Sequence, residues 1–397
     1  MAGRDDAAMH SGRTVFAQFL DLLPRRAFES AIERYRGARK LRRFSCMDQL
    51  RCMIFAQLTG RSSLRETVTC LRALGSRRYH CGIRALPARS TLAEANERRD
   101  YRIFMDTAMS IIASAQIELP VDADLRRLKL QAFAIDSTTI DLCLKLFPWA
   151  QFRRRKGGIK AHTMIDLRVG IPVFMRVSHA KIADVSILDQ IVFLPGAFYV
   201  MDRGYVDFAR FRRIEQSRAF FITRAKRRLD CRVIQRSSVD PSGPIRRDQL
   251  IRLRGPKSRR LYPTTLRRIR YIDPKTGKKF TFLTNHLTLD ALAIALLYRK
   301  RWKIELLFKW MKQHLHIQAF FGTTPNAVKT QLWIAVIVFV LIHRLKHRLG
   351  LRQTPNEIAQ ILGVMIMEKI SINQMFSEID TRIFEVESRN QLQLFDF

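Results

Sequence analysis

The stretch that decides the fold reads Leu130-Gln-Ala-Phe-Ala-Ile-Asp136-Ser-Thr-Thr-Ile140. A short apolar run of this length is typical of a buried β-strand. One carboxylate, Asp136, lies within this strand or at its end. The pattern of the chain changes here, because the residues before it have helical periodicity.

After this strand the sequence predicts two strands that form a hairpin across Val169-Gly170, then a helix, a strand, a helix and a strand. These elements are Lys160–Arg168, Ile171–Ser178, Ala183–Leu194 with Asp184 as its cap, Ala197–Met201, Phe208–Gln216 and Ala219–Thr223. Three strands, helix, strand, helix, strand is the order of the mixed sheet in a ribonuclease-H-like fold. We therefore predict an α/β protein with a ribonuclease-H-like catalytic core.

The core is expected to lie between other segments. Residues 14 to about 118 have helical periodicity and indicate an all-helical N-terminal domain, 1–125, in which the helix from Ser90 is a candidate to enter a DNA groove. An ordinary helical domain with basic loops is the alternative. Five prolines and short strand-like runs indicate a basic β-rich insertion at about 225–285 within the catalytic domain, 126–350. The helical C-terminal region, 351–397, is a candidate for dimerisation.

The net charge indicates the class of partner. The chain has 397 residues, with 71 Lys and Arg against 35 Asp and Glu, and a formal charge of +36. Because a folded protein with this self-repulsion is best explained by a polyanionic partner, nucleic acid is the leading candidate and a membrane surface the weaker one.

Compartment and membrane association follow from other patterns. The six cysteines form no Cys-x-x-Cys pair, which fits reduced thiols in a cytoplasmic protein. No signal peptide is visible, and the longest apolar run, Leu332–Ile342, is too short to span a bilayer.

One acidic residue, Glu305, lies between Asp290 and Glu357, inside a strongly basic segment. The segment predicts a helix, on which Tyr298, Arg301, Glu305 and Lys312 share a face about 60° wide at about 100° per residue. Either the carboxylate neutralises its basic neighbours in pairs spaced four residues apart, or it holds a metal ion.

Two further carboxylates have comparable positions. Asp136 accompanies the first strand, and Asp202 ends the fourth strand, which neighbours the first in such a sheet. With Glu305 they could hold two Mg²⁺ ions, because hard divalent cations take oxygen ligands and accept shared carboxylates. For each residue alone a structural role remains open, as a turn cap for Asp136 and as an ion-pair partner of Arg203 for Asp202.

With these motifs the chain resembles the bacterial DDE transposases of insertion-sequence family 4, over residues 130 to 345. Their signature, Tyr-x2-Arg-x3-Glu-x6-Lys, is present as Tyr298, Arg301, Glu305 and Lys312. The segments Ala-Ile-Asp136-Ser-Thr and Met-Asp202-Arg-Gly-Tyr and the β-rich insertion also match this family.

The resemblance implies roles for single residues. Asp136, Asp202 and Glu305 would be the catalytic and metal-binding triad for Mg²⁺, with Mn²⁺ as a substitute, and Tyr298, Arg301 and Lys312 would contact DNA phosphates. Trp302 would either stack in the space of a displaced base or pack in the core. Relatives that flip a base use a second aromatic residue upstream, for which Phe280 and Phe282 are the nearest candidates.

We therefore expect a transposase that binds terminal inverted repeats, cleaves transposon ends by two-metal hydrolysis and joins the 3′-hydroxyl to target DNA. Its partners would be double-stranded DNA and a second copy of the chain, in the bacterial cytoplasm at the nucleoid. The rivals are a structure-specific nuclease of the same fold and a catalytically silent, transposase-derived DNA-binding protein.

Overall fold

The computed structural model describes residues 12–38, 44–84, 86–153, 156–226, 228–314 and 320–379. Contacts divide the chain into two compact units. One unit combines Met1–Leu119 with Trp310–Phe397, and the other is Pro120–Lys309. The sequence predicted one domain over 126–350, whereas residues from 310 onward group with the N-terminal helices.

The N-terminal part is helical, as predicted. Its helices are α1 (Val15–Leu20), α2 (Arg25–Arg34), α3 (Cys46–Leu58), α4 (Leu64–Ala73), α5 (Arg89–Arg98) and α6 (Arg102–Glu118). Side-chain caps fix several of their starts. Ser45, for example, caps α3 and exchanges hydrogen bonds with Asp48 in a capping box.

The second unit contains a mixed sheet and short helices. Its helices are α7 (Ala123–Arg127), α8 (Phe208–Gln216), α9 (Pro256–Leu261) and α10 (Ala291–Lys300). Its strands are β1 (Ala132–Leu142), β2 (Gln151–Arg153), β3 (Lys156–Asp166), β4 (Ile171–His179), β5 (Phe198–Met201), β6 (Phe220–Arg224), β7 (Cys231–Ser237), β8 (Ile245–Leu253), β9 (Leu266–Ile272) and β10 (Lys279–Thr284).

The ten strands form one sheet in the order β2-β3-β1-β5-β6-β10-β9-β8-β7, with β4 also paired to β3. Strand β1 is antiparallel to β3 and parallel to β5, and β5 is parallel to β6. The predicted insertion supplies β7 to β10, and β10 pairs with β6. The insertion therefore continues the same sheet beyond the five strands predicted before it.

Further helices are α11 (Trp302–His314), α12 (Pro325–Arg348) and α13 (Pro355–Met365), and residues 372–379 are also helical. By length and mean hydropathy, α12 alone among the described helices would be able to cross a membrane, but 83% of its most apolar window is buried inside the protein. It is better explained as the core helix of its unit.

Two local predictions were wrong. The helix expected at Ala183–Leu194 is only a 3₁₀ segment, Asp184–Gln190. Asp184 does not cap it, because its carboxylate accepts a hydrogen bond from Ser137 Oγ (2.6 Å) and pairs with Lys160 (3.0 Å). The continuous helix expected through Glu305 is instead two helices, α10 and α11, which meet at Arg301.

Candidate active site

Two of the predicted acids lie side by side just beyond the paired stretch of two parallel strands, Asp136 within β1 and Asp202 directly after β5. Ile135 of β1 and Met201 of β5 are paired in register, and Asp136 and Asp202 directly follow them. Neighbouring strands lie about 4.8 Å apart, so the register brings the two carboxylates to one edge and one face of the sheet. Thr223 of β6 fixes the second strand end by donating its hydroxyl to the carbonyl oxygen of Asp202 at 2.8 Å.

Hydrogen bonds from the main chain orient both carboxylates. The amide of Ser137 donates to Asp136 Oδ1 at 2.9 Å, and the amide of Gly204 donates to Asp202 Oδ1 at 2.7 Å. One oxygen of each carboxylate is therefore held by its own backbone.

The third acid reaches this edge through Arg301, at the junction of α10 and α11. Arg301 Nη1 lies 2.7 Å from Asp136 Oδ2, and Nη2 lies 2.6 Å from Glu305 Oε1. The two helices therefore meet at the residue that makes this ion pair, although Arg is a good helix former. Glu305 thus forms the ion pair with a basic residue four positions away that was one of the two interpretations of the sequence.

A second ion-pair group holds the start of α11. Asp122, which caps α7, lies 2.6 Å from Lys300 Nζ and 3.0 Å from Lys303 Nζ. Although burial opposes it, the two lysines lower the pKa of Asp122 to about 2. This group anchors both helix ends to the sheet unit, and sequence analysis missed it because the partners lie about 180 residues apart.

Burial is the main electrostatic influence on Asp136. Together with the smaller effects of the Asp202 and Glu305 charges, it raises the pKa of Asp136 to about 6, against the lowering effect of the Ser137 amide and Arg301. A cation among the three acids would relieve this repulsion.

The donor set fits a hard divalent cation, because it consists of carboxylate oxygens. The described residues contain no preformed cluster of three or more acidic, His or Cys ligands. The Arg301 guanidinium supplies the positive charge between Asp136 and Glu305 instead.

The other predicted site residues differ in exposure. Tyr298 is buried, with its ring 4.9 Å from that of Phe282 and 5.6 Å from the Arg301 guanidinium carbon. Burial raises the pKa of its hydroxyl. Trp302 is 59% exposed, so core packing does not explain it. Lys312 is exposed on α11, in the stretch assigned to the helical unit.

A polar group on the other face of β1 was also missed by sequence analysis. Ser137 Oγ donates to Asp184, and Lys160 Nζ lies 3.0 Å from the same carboxylate. Because the Ser137 amide holds Asp136, this group fixes the backbone that orients the acid. The alternation of β1 predicts that Ser137 faces away from Asp136, but no local signal identifies its partners.

Comparison with known proteins identifies the family of the chain. Residues 127–341 match the family described as "Transposase DDE domain", and residues 11–84 match a domain of unknown function. The y4zB protein of Sinorhizobium fredii, which is named as a transposase, is 34% identical over 261 residues, 64% of this chain and 71% of the relative. A Geobacillus stearothermophilus protein named as the transposase of insertion sequence element IS5377 is 28% identical over 212 residues, 52% of this chain and 55% of the relative.

Among solved structures, the piggyBac transposase in a synaptic complex with hairpin DNA covers 94% of this chain and 83% of its own, at 10% identity and a TM-score of 0.49. This likeness is too low to bear on the fold. The family match spans more than half of the chain and includes all three acids. The chain belongs to the DDE transposase family of bacterial insertion sequences.

Proposed function

We propose that this protein cuts DNA at the ends of a transposable element and joins the freed 3′-hydroxyl to target DNA. The observation that carries the proposal is the convergence of Asp136 and Glu305 on one guanidinium, beside Asp202 in the adjacent strand. Three carboxylates at one sheet edge provide oxygen ligands for divalent cations in a protein of strongly basic charge.

We infer that the sheet is a ribonuclease-H-like core with an insertion. The order β4-β3-β1-β5-β6, with β3 antiparallel and β5 and β6 parallel to β1, supports this assignment. The first and fourth strands of the predicted order then carry Asp136 and Asp202. On this proposal Asp136 lies within the first strand and Asp202 directly after the fourth, just beyond the stretch over which the two strands pair.

In the proposed reaction, Asp136, Asp202 and Glu305 hold Mg²⁺, with Mn²⁺ as a substitute. When bound, two such ions would activate the attacking oxygen and stabilise the leaving oxygen of a phosphodiester. Water oxygen bonds to phosphorus while the bond to the 3′-oxygen of the transposon strand breaks, which leaves a 3′-hydroxyl and a 5′-phosphate. That hydroxyl then attacks a target phosphodiester and displaces the target's own 3′-oxygen.

The residues around the acids are proposed to hold the DNA backbone. Arg301 Nε is buried and has no hydrogen-bond partner among the described residues, so a phosphate oxygen would satisfy a donor that is otherwise unpaired. Tyr298 supports the guanidinium from one side. We propose Lys312 as a phosphate contact and the exposed Trp302 as the side chain that stacks on a base.

The insertion-sequence family, the roles of the three segments and the site of action are also proposals. The signature from Tyr298 to Lys312 supports membership of insertion-sequence family 4. We propose that residues 1–125 bind the terminal inverted repeats, that 126–350 are catalytic, and that the 351–397 region contributes to a homodimer holding two ends. The site of action would be bacterial DNA, in the cytoplasm at the nucleoid.

An assay of strand joining distinguishes a transposase from a nuclease of the same fold and from a silent DNA-binding protein. Purified protein is incubated with Mg²⁺, plasmid target and DNA ends that already carry the 3′-hydroxyl, taken from the DNA bordering this gene. A transposase joins the ends to the plasmid. A nuclease of the same fold degrades DNA without joined products, and a silent DNA-binding protein does neither.

A further inference from the structure

The insertion strands carry a second charged feature, beside the carboxylates. A cavity of about 460 Å³ in the sheet unit is lined by eleven residues, of which seven are Lys or Arg and none is acidic. The cations used below are Arg203, Arg224, Arg247, Arg268, Arg270 and Lys279. We call this cavity the insertion cleft.

Strand register concentrates this charge. Arg247 of β8 lies directly opposite Arg270 of β9, a like-charge pair that destabilises an isolated sheet. Arg268 and Arg270 are two positions apart on β9, so they face the same side. Lys279 reaches that side from β10, since Thr281, two positions further on, pairs with Arg270.

None of the seven cations forms an ion pair within the part of the chain that the structure describes. The neighbouring Arg267 shows that the same strand accommodates a partner. It lies on the opposite side of β9, buried, and forms two bonds with Asp248 at 2.8 and 2.6 Å. The insertion cleft is thus a concentration of positive charge that the protein itself leaves unneutralised.

The lining favours the backbone of duplex DNA over bases. No aromatic side chain lines the cleft, so it offers no platform on which single-stranded bases would stack. The side-chain oxygen of Gln249, which lines the cleft, already accepts hydrogen bonds from Arg268 at 2.7 and 3.2 Å. What remains exposed is suited to phosphate oxygens.

Position connects the cleft to the carboxylates. Arg203 lines it and is the residue directly after Asp202. Arg224, another lining cation, stacks over Phe280, whose ring lies 6.3 Å from that of Tyr298. If one phosphate of a DNA strand lies at the three acids, the neighbouring part of the DNA is therefore expected to lie over the cations of the insertion cleft.

We propose that the insertion cleft binds the sugar–phosphate backbone of the duplex being cleaved, adjacent to the scissile phosphate and independently of sequence. The proposal rests on the proposed function for the identity of the polyanion. Each phosphate contact releases counterions, so its loss is measurable as a change in salt dependence.

The test measures the affinity of the double variant Arg247→Gln/Arg270→Gln for duplex DNA at several salt concentrations. EDTA is present so that the DNA is not cleaved. Two lost contacts lower the slope of log affinity against log salt by about 2, equally for end sequences and unrelated duplexes. The charge-matched control is Arg127→Gln/Arg213→Gln, which removes two exposed arginines of the same unit that already pair with acids. Its slope is expected to equal that of the wild type.

Equal slopes of log affinity against log salt for the two double variants would contradict the proposal. A loss of affinity restricted to one DNA sequence or to single-stranded DNA would also contradict it. Thermal unfolding confirms that both variants fold. Wild-type protein that binds no duplex would contradict the proposed function itself, whereas wild-type binding unaffected by the double substitution contradicts the cleft alone. The single variant Lys279→Gln, with an expected slope change of about 1, checks the result independently.

Discussion

Replacing Asp136 with Asn tests whether this carboxylate destabilises the metal-free protein. The substitution keeps the size of the side chain and removes its charge. Burial, followed by the charges of Asp202 and Glu305, raises the pKa of Asp136 from an ordinary 3.8 to about 6. The side chain is 21% exposed, so solvent screens these effects only in part.

The magnitude follows from proton linkage. One pKa unit corresponds to about 1.36 kcal/mol, so this shift amounts to on the order of 3 kcal/mol. Because its folded-state pKa is raised, Asp136 binds its proton more tightly in the folded protein. Its contribution to stability is therefore greatest at low pH and is lost as the pH rises from about 4 to about 6.

The assay is urea unfolding of wild type and Asp136→Asn in EDTA at about pH 5 and about pH 7.5. The stability of the variant relative to wild type should increase by on the order of 1 kcal/mol between these values. Any constant effect of the substitution, such as an altered bond to Arg301, cancels in this comparison. The control is Asp141→Asn, on an exposed position of the same strand.

A relative stability that does not change with pH would refute the reasoning. Addition of Mg²⁺ extends the test without an activity measurement. A ligand that binds only the folded state raises stability by mass action. Mg²⁺ should therefore raise the unfolding midpoint of wild type and of Asp141→Asn more than that of Asp136→Asn.

Three other substitutions have defined outcomes. Gly363→Ala should destabilise the helical unit by about 1–3 kcal/mol in thermal or urea unfolding, because an added Cβ would lie 2.2 Å from the carbonyl oxygen of Leu58. Arg267→Met should lower unfolding stability by about 3–5 kcal/mol, since it leaves the Asp248 charge buried and unpaired. Trp302→Ala should leave the unfolding midpoint nearly unchanged while it weakens binding to DNA ends by about 1–3 kcal/mol in a gel-shift titration.

Matched variants make these predictions specific. Gly255→Ala should be tolerated, because a Cβ there meets its nearest neighbour at an ordinary 3.7 Å. Arg270→Met, on an exposed position of the same strand as Arg267, should change stability by less than about 0.5 kcal/mol. A midpoint shift for Trp302→Ala as large as that for Gly363→Ala would assign Trp302 to the core.

Local pattern predicted much of the fold. The helix Phe208–Gln216 has the predicted bounds, and the segment predicted as a β-rich insertion contains strands such as Leu266–Ile272 and Lys279–Thr284. Their periodicity and their ends are determined by neighbouring residues. The alternation and length of the strand at Asp136 likewise identified it as the start of a buried sheet.

Tertiary contacts account for what the sequence did not predict. Arg301 lies in a segment of strong helix formers, and the helix breaks there where it binds Asp136, 165 residues away. Asp184 lies where a helix cap was predicted, but its carboxylate binds Ser137 of β1 and Lys160 of β3. The insertion cleft likewise exists only through the register of β8, β9 and β10, which one-dimensional charge patterns do not reveal.

The central claim is that Asp136, Asp202 and Glu305 together catalyse DNA strand cleavage. The most direct measurement is the Mg²⁺-dependent cleavage rate on DNA that carries the borders of this gene, for Asp136→Asn, Asp202→Asn and Glu305→Gln. Each substitution should reduce cleavage to the level seen in EDTA while DNA binding is retained, and Asp141→Asn should cleave as wild type does. Wild-type cleavage by any one of the three would contradict the assignment.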